Sequence, residues 1–270
     1  MNPILQPVVL WLLGIMMVAA PPNRPQFEPA AIESVAQAQE RYEGIAQSVA
    51  KVAFDPKETP IPGTSRSYTA SVLLSIAFHE SSFRRDVDLG IGRMKLAKSG
   101  WNDHGRSWCM MQVNLGTRQI PDERPGHEGS WREESSSQTA EGWWGTELLA
   151  DREKCFRAGM HIVQRSWGCR GGIQADALSK YAGGVCYTQT DEDKAKETDN
   201  ERLLVKIRAT RYASRMRVER ANRWAKARPR QWVDQEVVKL LLEPAVPAPE
   251  VSQPPSVGPS IPSSALATTP

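Results

Sequence analysis

The sequence predicts a mainly α-helical protein, and three observations predict it. Apolar residues recur at helical spacing in several separate stretches, no two alternating segments read as partnered strands, and prolines are sparse from Ser65 to Val238 but crowd the regions on either side. A chain of 270 residues is long enough for one sizeable core with extensions. The expected organisation is a hydrophobic segment at 1–25, a helix and linker at 26–64, a folded domain at 65–190, a basic helical extension at 191–243 and a disordered Pro/Ser-rich tail at 244–270.

Ile4 to Ala20 is uncharged and strongly apolar, and its seventeen residues at about 1.5 Å each only just cross a bilayer core. It reads as a signal peptide or a short signal-anchor, with a buried core helix as the plainer alternative. Val18-Ala19-Ala20 offers small residues to a signal peptidase, whereas Pro21 hinders cleavage behind Ala20, which favours the anchor. The signal and anchor readings place the protein outside the cytoplasm, in the periplasm or cell envelope. Ala30 to Ala53 spaces Ile32, Val35, Ala36, Ile45, Val49 and Val52 as an amphipathic helix, which Pro56, Pro60 and Pro62 stop. Ser67 to Phe83 is a second helix, with Val72, Leu73, Ile76, Ala77 and Glu80 on one stripe. Gly90 to Gly105 reads as a loop, Cys109 to Val113 as a short apolar piece, and Gly116 to Gly142 as a polar insertion. Leu148 to Trp167 carries Phe156, Met160 and Val163 in helical register and ends near Gly168. Ala175 to Tyr181 is a short helix before Gly183 and Gly184, and Asp199 to Ala227 is a basic one.

The formal net charge of +3 conceals an asymmetry, because Arg202 to Arg230 holds eleven Lys or Arg against Glu219 alone, a local +10 that leaves the remainder at −7. With Leu204, Ile207, Tyr212, Met216 and Trp224 among the arginines, this stretch is a contact for an anionic membrane or wall polymer, or a helix packed on the folded domain with its arginines turned to solvent. No nucleic-acid motif accompanies the charge, so nucleic acid is not an expected partner. Cys109, Cys155, Cys169 and Cys186 form an even set without C-x-x-C spacing, which argues against a zinc clip or a thioredoxin-like motif. In an exported protein they read as two disulfides, with three pairings open.

A carboxyl set among Val, Leu, Ile and Phe side chains keeps its proton more readily and can donate it near neutral pH. Glu80 occupies such a place, one turn beyond Ile76 and Ala77. Glu80-Ser81-Ser82-Phe83 closes the apolar helix, Met110-Met111-Gln112-Val113 follows, and Tyr181-Ala182-Gly183-Gly184 comes after a helix containing Arg157-Ala158-Gly159. In this order the segments, from about Tyr68 to Gly184, resemble the soluble lytic transglycosylases of the goose-lysozyme-like superfamily. The resemblance implies a lysozyme-like α-helical catalytic domain that binds peptidoglycan glycan strands and cleaves the bond between N-acetylmuramic acid and N-acetylglucosamine, leaving an anhydro-muramyl product. Glu80 matches the catalytic acid and Ser81 the serine that helps hold the site. Met111 and Gln112 match residues lining the sugar cleft, and Tyr181 the tyrosine whose hydroxyl points toward the acid. Cys109 stands where the family usually has Gly, and Ala182 where it usually has Asn.

Such enzymes need one carboxyl, and no metal or cofactor is expected. A hydrolytic muramidase would set a second carboxylate across the bond, for which Asp86 and Asp88 are the nearest candidates. A third reading is a non-catalytic wall-binding protein with a membrane-active basic helix. His79-Glu80 opens like H-E-x-x-H, but Phe83 stands where the second zinc ligand belongs. His104, His127 and His161 are scattered and read as structural or surface histidines, and neither a phosphate loop nor a G-x-S-x-G elbow is present.

Overall fold

The computed structural model describes residues 2–22, 29–92, 105–167, 177–229 and 234–242. The expectations for 93–104, for Cys169 and for the tail at 244–270 lie outside them. Among the described residues the chain is mainly α, as expected: α1 (Gln6–Ala19), α2 (Val35–Phe54), α3 (Arg66–Ser81), α4 (Arg85–Asp88), α5 (Gly145–Ala150), α6 (Arg152–Ser166), α7 (Ser179–Gly183), α8 (Gln189–Glu197), α9 (Glu201–Lys226) and α10 (Asp234–Leu242). The expectation of no strand pairs is corrected. β1 (Ser107–Trp108) pairs antiparallel with β2 (Val113–Asn114), and β3 (Arg118–Pro121) with β4 (Trp131–Glu134), Arg118 standing opposite Glu134. Pieces of two and four residues are too short for period-two alternation to show against their polar setting.

α3 is the axis of the fold. Every residue from Thr69 to Ala77 is buried, so this stretch has no solvent face, and the helix opens to solvent only near its ends, at His79 among others. Its serines find partners within the core: the Ser71 hydroxyl donates to the Ser67 carbonyl at 3.0 Å and that of Ser75 to the Arg217 carbonyl on α9 at 2.8 Å. Ser65 caps the N-terminus through the Tyr68 amide at 3.1 Å, and Asp234 accepts from the Ser67 amide at 2.8 Å, where the helix dipole favours a carboxylate. At the other end Ser82 (φ 50°) and Phe83 (φ 54°) are both left-handed, which turns the chain and drives Phe83 into the core at 1% exposure.

α2 begins five residues later than its apolar pattern, because Ser34 and Gln37 form a capping box there. The helix expected from Leu148 to Trp167 divides at Asp151, whose carboxylate caps Glu153 and Lys154 and starts α6. α1 lies on α2 with Val8, Val9, Leu12 and Met16 buried to 1% or less, in the same core as α2, α3, α6, α9 and α10. No helix among the described residues is long and apolar enough to cross a membrane. The hydrophobic segment and the basic helix, read from the sequence as extensions, therefore share one interior with the middle of the chain.

Candidate active site

The site forms where α3, α7 and α9 meet the turn between β1 and β2. Glu80 lies in the last turn of α3 with its side chain 22% exposed. Ser81, buried beside it, donates to the Ala77 carbonyl at 2.6 Å and accepts from the Phe83 amide at 3.1 Å, so it fixes the helix end that carries the acid. Met111 is fully buried and Gln112 half-buried in a turn where Cys109 (φ 55°) and Gln112 (φ 49°) are left-handed.

Gly159 explains the position of that turn. A Cβ at residue 159 would stand 2.5 Å from Met111 Cε, 2.9 Å from Cγ and 3.0 Å from Cβ, so only a glycine lets α6 come this close. The Cys109–Cys155 disulfide ties the same turn to the same helix. Cys186 is also in a disulfide.

Tyr181, on α7, donates its hydroxyl to the Met111 carbonyl. Burial pushes its phenol well above the usual range; the Glu80 carboxylate nearby adds to this, while the Arg217 guanidinium opposes it. The fold thus brings Glu80, Met111 and Tyr181 into one place from three distant parts of the sequence. Two expectations change in detail: the Tyr181 hydroxyl is bonded to the Met111 backbone carbonyl and not to the Glu80 carboxyl, and the Gln112 amide folds back to donate to the Cys109 carbonyl at 2.8 Å. The buried Met111 side chain supports the site from within the core.

Glu80 does not have apolar neighbours alone, and this corrects the sequence reading. Arg217, from the middle of the basic helix and only 4% exposed, donates through Nη2 to Glu80 Oε1, while its Nε and Nη1 are buried without a hydrogen-bond partner among the described residues. Ser214, one turn earlier on α9, accepts from the Leu178 amide at 3.1 Å and so holds the start of α7. One face of α9 therefore positions both the acid and the tyrosine. The signal was present in the sequence: Arg211, Ser214 and Arg217 fall on the same helical stripe as Ile207, Val218 and Ala221, and all six are buried. The charge count drew attention to the outer face instead. His79 is held below the ordinary histidine range by burial first, then by Arg217 and Arg220, with Glu80 acting the other way.

The candidates for a second carboxylate are engaged elsewhere. Asp86 and Asp88 are each 2% exposed; Asp86 is paired with Arg84, and Asp88 accepts from Arg152 Nη2 at 2.7 Å. No cluster of His, Cys, Asp and Glu suited to a metal ion occurs among the described residues. His161 is a structural histidine, set between Glu141 at 2.5 Å and Glu58 at 3.0 Å. No family model matches this chain, and neither a curated protein nor a solved structure does.

Proposed function

We propose that the chain cleaves peptidoglycan glycan strands as a lytic transglycosylase of lysozyme-like fold, with Glu80 as its single acid/base. The observation that carries this reading is the grouping of Glu80 with Tyr181 at the end of a buried helix, in the order and setting of the resembling motifs. Arg217 occupies Oε1, which leaves Oε2 as the oxygen able to reach a glycosidic bond. Protonated there, Glu80 gives its proton to the oxygen linking N-acetylmuramic acid to N-acetylglucosamine as that bond breaks. The carboxylate then takes the proton of the muramic C6 hydroxyl, whose oxygen bonds to C1 and closes the anhydro ring without water. Hydrolysis on a second carboxylate has less support, because Asp86 and Asp88 are buried in ion pairs with arginines. Working on wall polymer also entails export to the periplasm or cell envelope.

One observation favours a second reading, a non-catalytic wall-binding protein: a carboxylate held by a buried guanidinium is also what a purely structural ion pair looks like. Clearing of purified peptidoglycan by wild type and by Glu80→Gln separates the two. An enzyme of this kind loses at least about 100-fold of its rate without its acid, and its fragments are one water lighter than hydrolytic products. Equal clearing by the two proteins removes the enzymatic reading, and fragments of hydrolytic mass replace the transglycosylase by a muramidase.

A further inference from the structure

A groove of about 750 Å³ runs between α1 and the last turns of α9, a size usual for small-molecule sites. Its α1 wall carries no charge. Leu10 and Val18 lie along it, 56% and 84% exposed, on the face of the helix opposite the one packed on α2. Phe78 and Trp224 supply aromatic surface, and Arg220 and Arg223 supply charge; no acidic residue lines the groove. Arg220 stacks over both rings, 4.5 Å from the Phe78 centroid and 5.9 Å from that of Trp224, and its Nη1 is buried with no hydrogen-bond partner among the described residues. A buried guanidinium nitrogen without an acceptor is costly, and Arg217 and Arg223 on either side add repulsion. The occupant that answers both halves of the groove carries an anionic oxygen group and a hydrocarbon body. A free inorganic anion leaves the apolar wall in water, and a neutral hydrocarbon leaves the arginines unmatched.

We propose that this groove binds an anionic phospholipid of a membrane surface, its phosphate on Arg220 and Arg223 and its acyl chain along Leu10, Ile15 and Val18. The site is separate from Glu80 and does not depend on the wall-cleaving reading. It also gives the short hydrophobic segment a way to hold a membrane without crossing it.

The test is co-sedimentation of the full chain with vesicles of phosphatidylcholine alone and of phosphatidylcholine mixed with phosphatidylglycerol. Wild type is expected on the mixed vesicles at least tenfold more tightly, with affinity falling as salt rises. Arg220→Gln combined with Arg223→Gln weakens that binding about 10- to 30-fold. Arg220 packs on two rings, so Val18→Glu, at an open position that disturbs no packing, is the second variant, and it is expected to weaken binding comparably. Equal binding to the two vesicle types overturns the proposal, as does undiminished binding by Val18→Glu. Displacement by millimolar inorganic phosphate at constant ionic strength reassigns the groove to a free anion. Self-association of the wild type that Val18→Glu abolishes reassigns it to a second copy of the chain.

Discussion

Glu80→Gln keeps an oxygen for Arg217 to donate to and removes the transferable proton, so it separates chemistry from architecture at one position. With the charge gone, Arg217 stays buried beside a neutral acceptor, at a cost of about 1–3 kcal/mol. We expect a melting temperature lower by a few degrees with the circular-dichroism spectrum unchanged, alongside the loss of clearing; a protein that loses clearing only because it unfolds at the assay temperature does not count. His161 gives a second prediction at this scale. Burial opposes its charge, yet hydrogen bonds to Glu58 and Glu141 win and raise it above 6.5, and the same bonds, with Arg157 on Glu58, lower the two glutamates below 4.5 against their own burial. A raised histidine gives its full stabilisation below its unfolded pKa and loses it as pH rises through the folded value. A lowered carboxylate gives its full stabilisation above its unfolded pKa and loses it as pH falls. The two overlap between 4.5 and 6.5. Thermal melts of wild type and His161→Gln should therefore differ most near pH 6, by about 2–4 °C for each kcal/mol, and converge toward pH 9. A gap that widens with pH contradicts the assignment. Glu80 was legible in the sequence because an acid on an apolar stripe departs from the pattern around it. Arg217 was not, because a buried arginine among eleven basic residues looks like the others until the partner helix is known.

Two contacts set where the β1–β2 turn sits against α6, and each can be removed. Gly159→Ala pushes a methyl into Met111, including its Cβ, which cannot swing aside. Overpacking of this kind costs about 1–3 kcal/mol, and Met111→Ala in the same chain should recover part of it; additive losses in the double variant remove the contact as the cause. The Cys109–Cys155 disulfide closes a loop of 46 residues, for which chain entropy gives about 4 kcal/mol. Replacing both cysteines by serine should lower the denaturation midpoint accordingly, and a midpoint within error of wild type means that the unfolded chain is restrained in some other way. At the scale of elements the sequence was read well where helices are long. α2, α3 and α9 lie close to their expected spans, since capping residues and apolar spacing point to the same boundaries. It was read poorly where tertiary contacts decide. β3 and β4 sit inside a stretch taken for a polar insertion, and buried Glu134, accepting from the Ser135 and Thr146 amides at 2.8 and 3.2 Å, ties that hairpin to the start of α5. α8 has a mean composition too polar for periodicity to show, and Arg211 of α9 holds it through Glu192 at 2.6 Å.

For the molecule as a whole, composition identified the fold class but not the limits of the core. The first twenty residues look like an export segment because they are uncharged and strongly apolar, and the same property suits a helix lying on α2. A chain lacking residues 2–20 loses the burial of Val8, Val9, Leu12 and Met16, on the order of 1.5–3 kcal/mol each. We expect it to melt at least about 10 °C lower than the full chain and to aggregate; an unchanged melting temperature separates α1 from the core energetically. The reach of α9 back to α3 has a temporal side. Arg217 follows Glu80 by 137 residues, so on a translating ribosome the guanidinium arrives on the order of ten seconds after the glutamate. Until then the acid has no counter-charge and the tyrosine helix has no Ser214 to rest on. Assembly of the pocket therefore waits on the synthesis of α9, and a product cut short before Arg217 keeps a glutamate that stays unguided.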